Sequence, residues 1–162
     1  MATKQKKQVA SKKVKTGPVV KVALLGFGTV GSSVARVLAA SKFPGVELTH
    51  IFNRNVERKR SSAAAKGVPA SVVWTDNIDV VLNSKVDIVI ELMGGLNPVE
   101  AWIRRALAAG KSVVTANKQL IAYRGASLAK IAAQNNVQLV HGAAVAGGAH
   151  ARRGQPAQQL RA

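Results

Sequence analysis

The stretch VVKVALLGFGTVG, residues 19–31, decides the fold of this chain. Its first seven residues are almost continuously apolar, which indicates a parallel strand buried on both faces of a sheet. The strand leads directly into Gly26, Gly28 and Gly31, which are spaced as G-x-G-x-x-G. An apolar stripe follows at helical spacing, formed by Val30, Val34, Val37 and Leu38. The sequence therefore predicts a strand, a glycine loop and a helix in succession.

Outward from this stretch, strand-like and helix-like patterns alternate along the chain. The further predicted strands cover residues 46–52, 72–74, 87–92, 111–116 and 137–141. Asn97 and Pro98 predict a helix start with an asparagine cap and a proline in the first turn, and Gly110 predicts its end. A last helix is predicted near residues 126–134. Six strands separated by helices predict an α/β, Rossmann-like, doubly wound parallel sheet with helices on both faces.

Charge and composition divide the chain into three parts. The 162 residues carry 24 Lys and Arg against 7 Asp and Glu, a formal net charge of +17. Nine of the basic residues fall in residues 1–18 and 149–162, which hold no acid and little apolar sequence. We therefore expect a disordered Lys-rich arm over 1–18, one folded domain over 19–148 and an unstructured basic tail over 149–162. Polyanion binding through the arm is one alternative function, although an aromatic content of only 4% argues against a nucleic-acid stacking surface.

Composition also excludes several classes of protein. The 48% apolar share supports a buried core, and the lack of cysteine excludes disulfides, thiolate metal sites and cysteine nucleophiles. All apolar runs are far shorter than the roughly 20 residues that span a bilayer. We expect a soluble, cytoplasmic protein with no membrane partner.

The glycine loop has the chemistry of a dinucleotide site. In such a loop Gly26 permits the tight turn, Gly28 lets the backbone approach the pyrophosphate, and Gly31 lets the helix pack closely. The helix N-terminus adds free amides and partial positive charge. A purely structural turn is the alternative. The candidate cofactor residues of the loop are Gly26, Phe27, Gly28, Thr29, Val30 and Gly31.

The end of the second predicted strand bears on the choice of cofactor. It reads Phe52-Asn53-Arg54, without the Asp or Glu that usually binds the ribose hydroxyls of NAD, and residues 58–60 are all basic. A guanidinium can hold the additional 2′-phosphate of NADP. NADP is therefore favoured over NAD, with Asn53 and Arg54 as candidate contacts. A solvated basic loop is the alternative for residues 58–60.

Four segments carry a family resemblance. They are residues 22–31, 91–95, 113–118 and 143–148. In this order and spacing they resemble the signatures of homoserine dehydrogenase. The resemblance implies NAD(P)-dependent interconversion of L-homoserine and L-aspartate 4-semialdehyde by hydride transfer, in threonine, methionine and isoleucine biosynthesis. It also implies a small-molecule substrate and a homodimer.

The resemblance extends the site beyond the glycine loop. It implies that Met93 and Gly94, after the fourth strand, and Thr115 and Lys118, at the end of the fifth, belong to the cofactor site. These positions lie at the sheet edge where ligands bind in this fold. Lys118 has an implied supporting role in catalysis, because a lysine there can stabilise negative charge developing on the aldehyde oxygen. A solvated lysine is the alternative.

No metal is predicted. The family often carries a glutamate at the position of Gly142 that helps to bind a monovalent cation, and that side chain is absent here. Val145, Gly147 and Ala149 retain only backbone carbonyls for such a role. His141 is predicted to be a packed or partly exposed residue rather than a ligand.

The resemblance stops after Gly148. The family continues there into a substrate-binding and dimerisation domain, whereas residues 149–162 contain one leucine and no Asp-x-x-x-Lys catalytic segment. We hypothesise a truncation or a reading-frame shift after Gly148. If the other two reading frames of the coding DNA do not encode the continuation of the family's sequence, the hypothesis is contradicted. We expect the chain alone to bind cofactor without turnover, so a non-catalytic NAD(P)-binding fragment is the alternative function.

Overall fold

The computed structural model describes residues 17–40 and 43–142, which form one six-stranded parallel sheet. The strand order is β3-β2-β1-β4-β5-β6, with every neighbouring pair parallel. The strands are β1 Val20–Leu25, β2 Val46–Phe52, β3 Val73–Thr75, β4 Ile88–Glu91, β5 Ser112–Thr115 and β6 Leu139–His141. This order reverses direction between β1 and β4, the arrangement that opens a ligand crevice at the carboxyl edge of the sheet. The predicted fold class is confirmed.

Helices cover both faces of the sheet. They are α1 Thr29–Ala39, α2 Val56–Arg60, α3 Ile78–Leu82, α4 Val99–Ala108 and α5 Lys118–Gln134, with one 3-10 turn at Ala63–Ala65. Successive residues of β1 point to opposite faces: Ala23 and Leu25 pack with α3, α4 and α5, whereas Leu24 packs with Ala35 of α1. Burial on both faces explains why β1 is continuously apolar.

Two local predictions, and the alternative of a basic loop at residues 58–60, differ from the structure. Asn97 does not cap α4, which begins at Val99 after Pro98 without a side-chain cap bond. Residues 58–60 belong to the short helix α2 rather than to a loop. The last helix begins at Lys118, well before residue 126, because the Asn117 side chain accepts a hydrogen bond from the Leu120 amide and starts the helix there. Gly110 ends the preceding helix as predicted, with a φ of 75°.

The apolar stripe of α1 is only partly the buried face. Val30 and Val37 are 59% and 42% exposed, and the helix is buried through Gly31, Ser32 and Ala35 instead. Small residues bring α1 close to the loop that precedes it, which leaves the bulkier valines outside.

The proposed arm up to residue 16, the tail over 149–162 and the carbonyls of Val145, Gly147 and Ala149 lie outside the described residues. Within the ranges that the structure describes, none of the helices combines the length and the apolar character needed to cross a membrane.

Candidate functional site

The glycine loop connects β1 to α1 and lies beside the carboxyl end of β2. Gly26 has a φ of 104°, in the region that favours glycine, and its amide donates to the Phe52 carbonyl at 2.9 Å. A Cβ at Gly31 would overlap the carbonyl oxygen of Gly26, so the helix and the loop meet backbone to backbone. Gly28 precedes α1 and faces open space, since no atom lies within 4 Å of the position a Cβ would take. The loop is therefore tightly packed behind and open in front.

A cleft of about 560 Å³ lies in front of the loop. Its lining comes from the glycine loop, the end of β2 and the segment after β4: Gly26, Phe27, Gly28, Asn53, Arg54, Asn55, Arg58, Lys59, Leu92, Met93, Gly94, Gly95 and Asn97. A second cavity of about 220 Å³ shares part of this lining and reaches the end of β5: Val30, Leu92, Met93, Gly94, Ala116 and Asn117. Together the two cavities run along the carboxyl edge of the sheet.

The β2 end of the cleft is positively charged. Arg54, Arg58 and Lys59 line it, and none of the described residues in its lining is acidic. A neighbouring cavity of about 510 Å³ shares Arg54 and Arg58 but also carries Glu57 and Asp76. Arg54 and Arg58 thus line both cavities, and the one that contains the glycine loop has the more basic lining.

The side chains of Asn53 and Phe27 shape this end of the cleft. The Asn53 Oδ1 atom accepts a hydrogen bond from the Asn55 amide at 2.9 Å, which fixes the turn after β2. The Phe27 ring is 1% exposed and packs edge-to-face on Trp74, with ring centroids 4.7 Å apart. Phe27 therefore anchors the glycine loop to β3 and presents mainly its backbone to the cleft.

A buried carboxylate organises the segment after β4. Glu91 is fully buried, and its Oε1 atom accepts hydrogen bonds from the amides of Met93 at 2.7 Å and Gly94 at 2.9 Å. Its Oε2 atom accepts from the Thr115 hydroxyl at 2.5 Å, which links β4 to β5. Three donors thus compensate the burial of this acid.

Asn117, which lies between β5 and α5, completes the same network. Its amide donates to the Thr115 hydroxyl oxygen at 3.0 Å, and its Nδ2 atom donates to the Gly95 carbonyl at 2.6 Å. The same side chain caps α5 through its bond with Leu120. The segment after β4 and the start of α5 are therefore tied together.

An ion-pair group on the adjacent helices supports this arrangement. Glu100 of α4 accepts from Arg104 at 2.9 Å and from Arg124 of α5 at 3.0 Å. The hydrogen bond from Arg104, followed by that from Arg124, lowers the pKa of the Glu100 carboxyl. The pair between Glu100 and Arg124 joins α4 and α5, the helices that follow the two cleft-lining segments.

The structure brings most of the predicted site residues together. Those that line the two cavities are Gly26, Phe27, Gly28, Val30, Asn53, Arg54, Met93 and Gly94. Gly31 is buried behind the loop and Thr29 is exposed at the first turn of α1. Thr115 is 2% exposed and faces Glu91, so its side chain lines neither cavity. Lys118 is exposed at the first residue of α5 and also lines neither, although its neighbour Asn117 does.

The sequence reasoning missed Glu91 and Asn117 as site residues. Glu91 carried a usable signal, because a charged residue inside a strand that is otherwise apolar has to be buried with partners. Asn117 had the signal of an N-cap residue before a helix. For metals, the described residues contain no group of three or more His, Cys, Asp or Glu side chains placed to hold an ion.

Comparison with known proteins places this site in a family. The family model described as homoserine dehydrogenase, NAD binding domain, matches residues 26–142. The chain is 40% identical over 136 residues to the homoserine dehydrogenase of Corynebacterium glutamicum, covering 81% of this chain and 30% of that protein. It is 36% identical over 138 residues to that of Lactococcus lactis, covering 80% of this chain and 31% of that protein.

Solved structures show the same relation. The crystal structure of a homoserine dehydrogenase from Thiobacillus denitrificans superposes with a TM-score of 0.67 at 35% identity, covering 77% of this chain and 30% of that chain. The chain spans about 30% of the length of the curated relatives it matches.

Proposed function

The chain belongs to the family of homoserine dehydrogenase NAD-binding domains, and we propose that it binds NADP(H) in the glycine-loop cleft as the cofactor-binding part of such an enzyme. The predicted resemblance is confirmed, and the description of the family model names NAD, which supports a pyridine nucleotide as the cofactor. One observation carries the proposal. A single cleft combines the glycine loop, the basic end of β2 and the segment after β4.

The residues fit a dinucleotide. The open space at Gly28 accommodates a group that must approach the backbone, and the first-turn amides of α1 have no partner within the helix. An anion is favoured at this position by those amides and by the helix dipole. We place the pyrophosphate there, the adenosine half toward Arg54 and the nicotinamide half toward Met93 and Gly94.

Direct titration tests the binding proposal. We expect NADPH fluorescence to change as purified protein is added and to reach a plateau at saturation. We expect NADH to bind more weakly. Saturable binding of neither nucleotide by the folded protein would refute the proposal.

The preference for NADP rests on Arg54. If its guanidinium holds the 2′-phosphate with help from Arg58 or Lys59, an Arg54→Ala variant should lose NADPH affinity by about tenfold or more and keep most of its NADH affinity. Added salt should weaken NADPH binding more than NADH binding, because exposed charges are screened. Arg36→Ala, which removes an exposed arginine of α1 outside the cleft lining, is the matched control. Equal losses for both nucleotides in Arg54→Ala would contradict a role in reading the phosphate.

We further propose that the family reaction, interconversion of homoserine and aspartate 4-semialdehyde, is the chemistry this domain serves. A bound nicotinamide cofactor supplies or accepts the hydride in that reaction. This chain's residues bind and orient the cofactor and exclude water from one side of it. Among the residues that the structure describes, we propose only Lys118 to stabilise charge on the substrate oxygen. Lys118 lies outside both cavities.

The position of Lys118 favours the second candidate, a cofactor-binding module without turnover of its own. Hydride transfer requires the carbonyl carbon to be held close to the cofactor, and losing that orientation removes many powers of ten in rate. We expect no oxidation of NADPH by aspartate semialdehyde above that of a Lys118→Ala variant at high protein concentration. Turnover near 1 to about 10³ per second that disappears in Lys118→Ala would overturn this proposal.

A further inference from the structure

The Glu91 network lies mostly behind the cleft, since only one of its three side chains, that of Asn117, lines a cavity, yet the network is bonded to a segment that lines both cavities. We propose that Glu91, Thr115 and Asn117 are positioning residues that set the shape of residues 93–95, the 93–95 loop, for the nicotinamide half of the cofactor. The inference rests on the proposed function. Glu91 and Thr115 line neither cavity, so they act through the loop.

The loop depends on these side chains for its shape. Gly94 and Gly95 have φ values of 75° and 76°, so the backbone turns through two successive left-handed residues. Glycines in this conformation have little intrinsic preference for a single structure, and their ordering costs conformational entropy. The Glu91 carboxylate binds the amides at the start of the loop, and Asn117 binds the Gly95 carbonyl at its end. Both ends of the loop are therefore held by side chains.

The two anchors are coupled through one hydroxyl. Thr115 donates to Glu91 and accepts from the Asn117 amide, so it needs both its hydrogen and its oxygen lone pair. Removing the hydroxyl leaves a buried carboxylate oxygen without its donor and a buried amide without its acceptor. Unsatisfied buried polar groups raise the free energy of the folded state. We therefore expect the loop to move until these groups regain hydrogen-bond partners.

The loop in turn faces the ligand at one end of the cleft only. Met93 and Gly94 line both cavities, including the one that reaches Ala116, whereas Arg54 and Arg58 line the opposite end. A change in the loop should therefore affect the nicotinamide half of a bound dinucleotide and leave the adenosine half in place. An effect on the nicotinamide half alone therefore distinguishes a positioning role from a general loss of fold stability.

The test uses two nucleotides and four variants. NADPH is titrated beside 2′-phospho-ADP-ribose, which has the adenosine half and the pyrophosphate but no nicotinamide. Thr115→Val removes the hydroxyl at nearly constant shape, and Thr115→Ser restores it. Asn117→Asp keeps the acceptor that caps α5 and removes the donor to Gly95. Thr49→Val is the matched control, because it removes a threonine hydroxyl that donates to Val22 in the same sheet, away from the cleft.

We expect Thr115→Val and Asn117→Asp to weaken NADPH binding by about tenfold and to leave the affinity for 2′-phospho-ADP-ribose unchanged. Thr115→Ser should recover NADPH affinity to within about twofold, and Thr49→Val should bind both nucleotides like the parent chain. If Thr115→Val does not fold, Asn117→Asp tests the same loop from its other end.

Three outcomes would contradict the proposal, and they are distinguishable. Equal losses for both nucleotides would show that the network only stabilises the fold. Unchanged binding of both in the folded variants would show that the loop does not depend on the network. A parent chain that binds neither nucleotide would refute the proposed function itself, and the positioning role with it.

Discussion

A Gly28→Val variant should fold normally and lose NADPH affinity by well over tenfold, which corresponds to more than about 1.4 kcal/mol. No atom lies within 4 Å of the position of the new Cβ, and Gly28 has a φ of −90°, which other residues adopt readily. The substitution therefore meets no neighbour in the protein. Its side chain instead fills the space in front of the α1 N-terminus, where we place the pyrophosphate.

Measuring stability beside affinity makes this result interpretable. Valine is a poorer residue than glycine before a helix, so we expect a loss of at most about 1 kcal/mol in the free energy of unfolding. Gly17→Val is the matched control, because Gly17 also has open space around its Cβ position and lies outside the cleft. Unchanged NADPH affinity in a folded Gly28→Val protein would show that the cofactor does not approach this backbone.

The parts of the fold that the sequence predicted well are those in which local pattern and burial agree. β1 is buried on both faces, so its apolar run and the following glycine loop are encoded within a dozen residues. β2 matches its predicted range of 46–52, and it is preceded by Gly45, which has a φ of 84°. The alternation of strands and helices predicted the doubly wound parallel class, to which the observed strand order belongs.

The predictions that differed concern which neighbour a residue meets. Hydrophobic spacing placed Val30 and Val37 on the stripe of α1, but close approach to the glycine loop selected the small residues Gly31 and Ala35 as the buried face. Periodicity reports apolar character and carries no information about how near the partner lies. The start of α5 was predicted too late because one asparagine, Asn117, caps it.

The same limit applies to the site. Three residues that line the cleft were predicted on different grounds: Gly28 from the glycine motif, Arg54 from its place after the second strand, and Gly94 from the family resemblance. The Glu91 bond to Thr115 joins residues 24 positions apart and exists only once β4 and β5 pair. Such contacts follow from strand register, which a single sequence does not specify at the level of individual hydrogen bonds.

Gly31→Ala is expected to destabilise the protein, against the usual effect of replacing glycine by alanine within a helix. Alanine normally gains about 1 kcal/mol there from helix propensity. At Gly31 the new Cβ would overlap the carbonyl oxygen of Gly26 and lie 3.0 Å from its carbonyl carbon, and both are backbone atoms. Relief requires α1 or the glycine loop to move. Because both contacts are with backbone, we expect a cost toward the upper end of the about 1–3 kcal/mol typical of overpacking, which exceeds the gain in helix propensity.

Urea unfolding with NADPH titration separates this variant from Gly28→Val. In Gly31→Ala we expect the free energy of unfolding to fall by about 1–2 kcal/mol and NADPH affinity to fall as well, because the loop shifts as a unit with Gly26. Ser33→Ala, an exposed position on the same helix, should change neither quantity by more than about 0.5 kcal/mol. A Gly31→Ala protein with the parent's stability would mean that the helix and loop are not in backbone contact. Close approach of α1 to the glycine loop at Gly31 would then not explain why the helix is buried through its small residues. The exposure of Val30 and Val37 would need another cause.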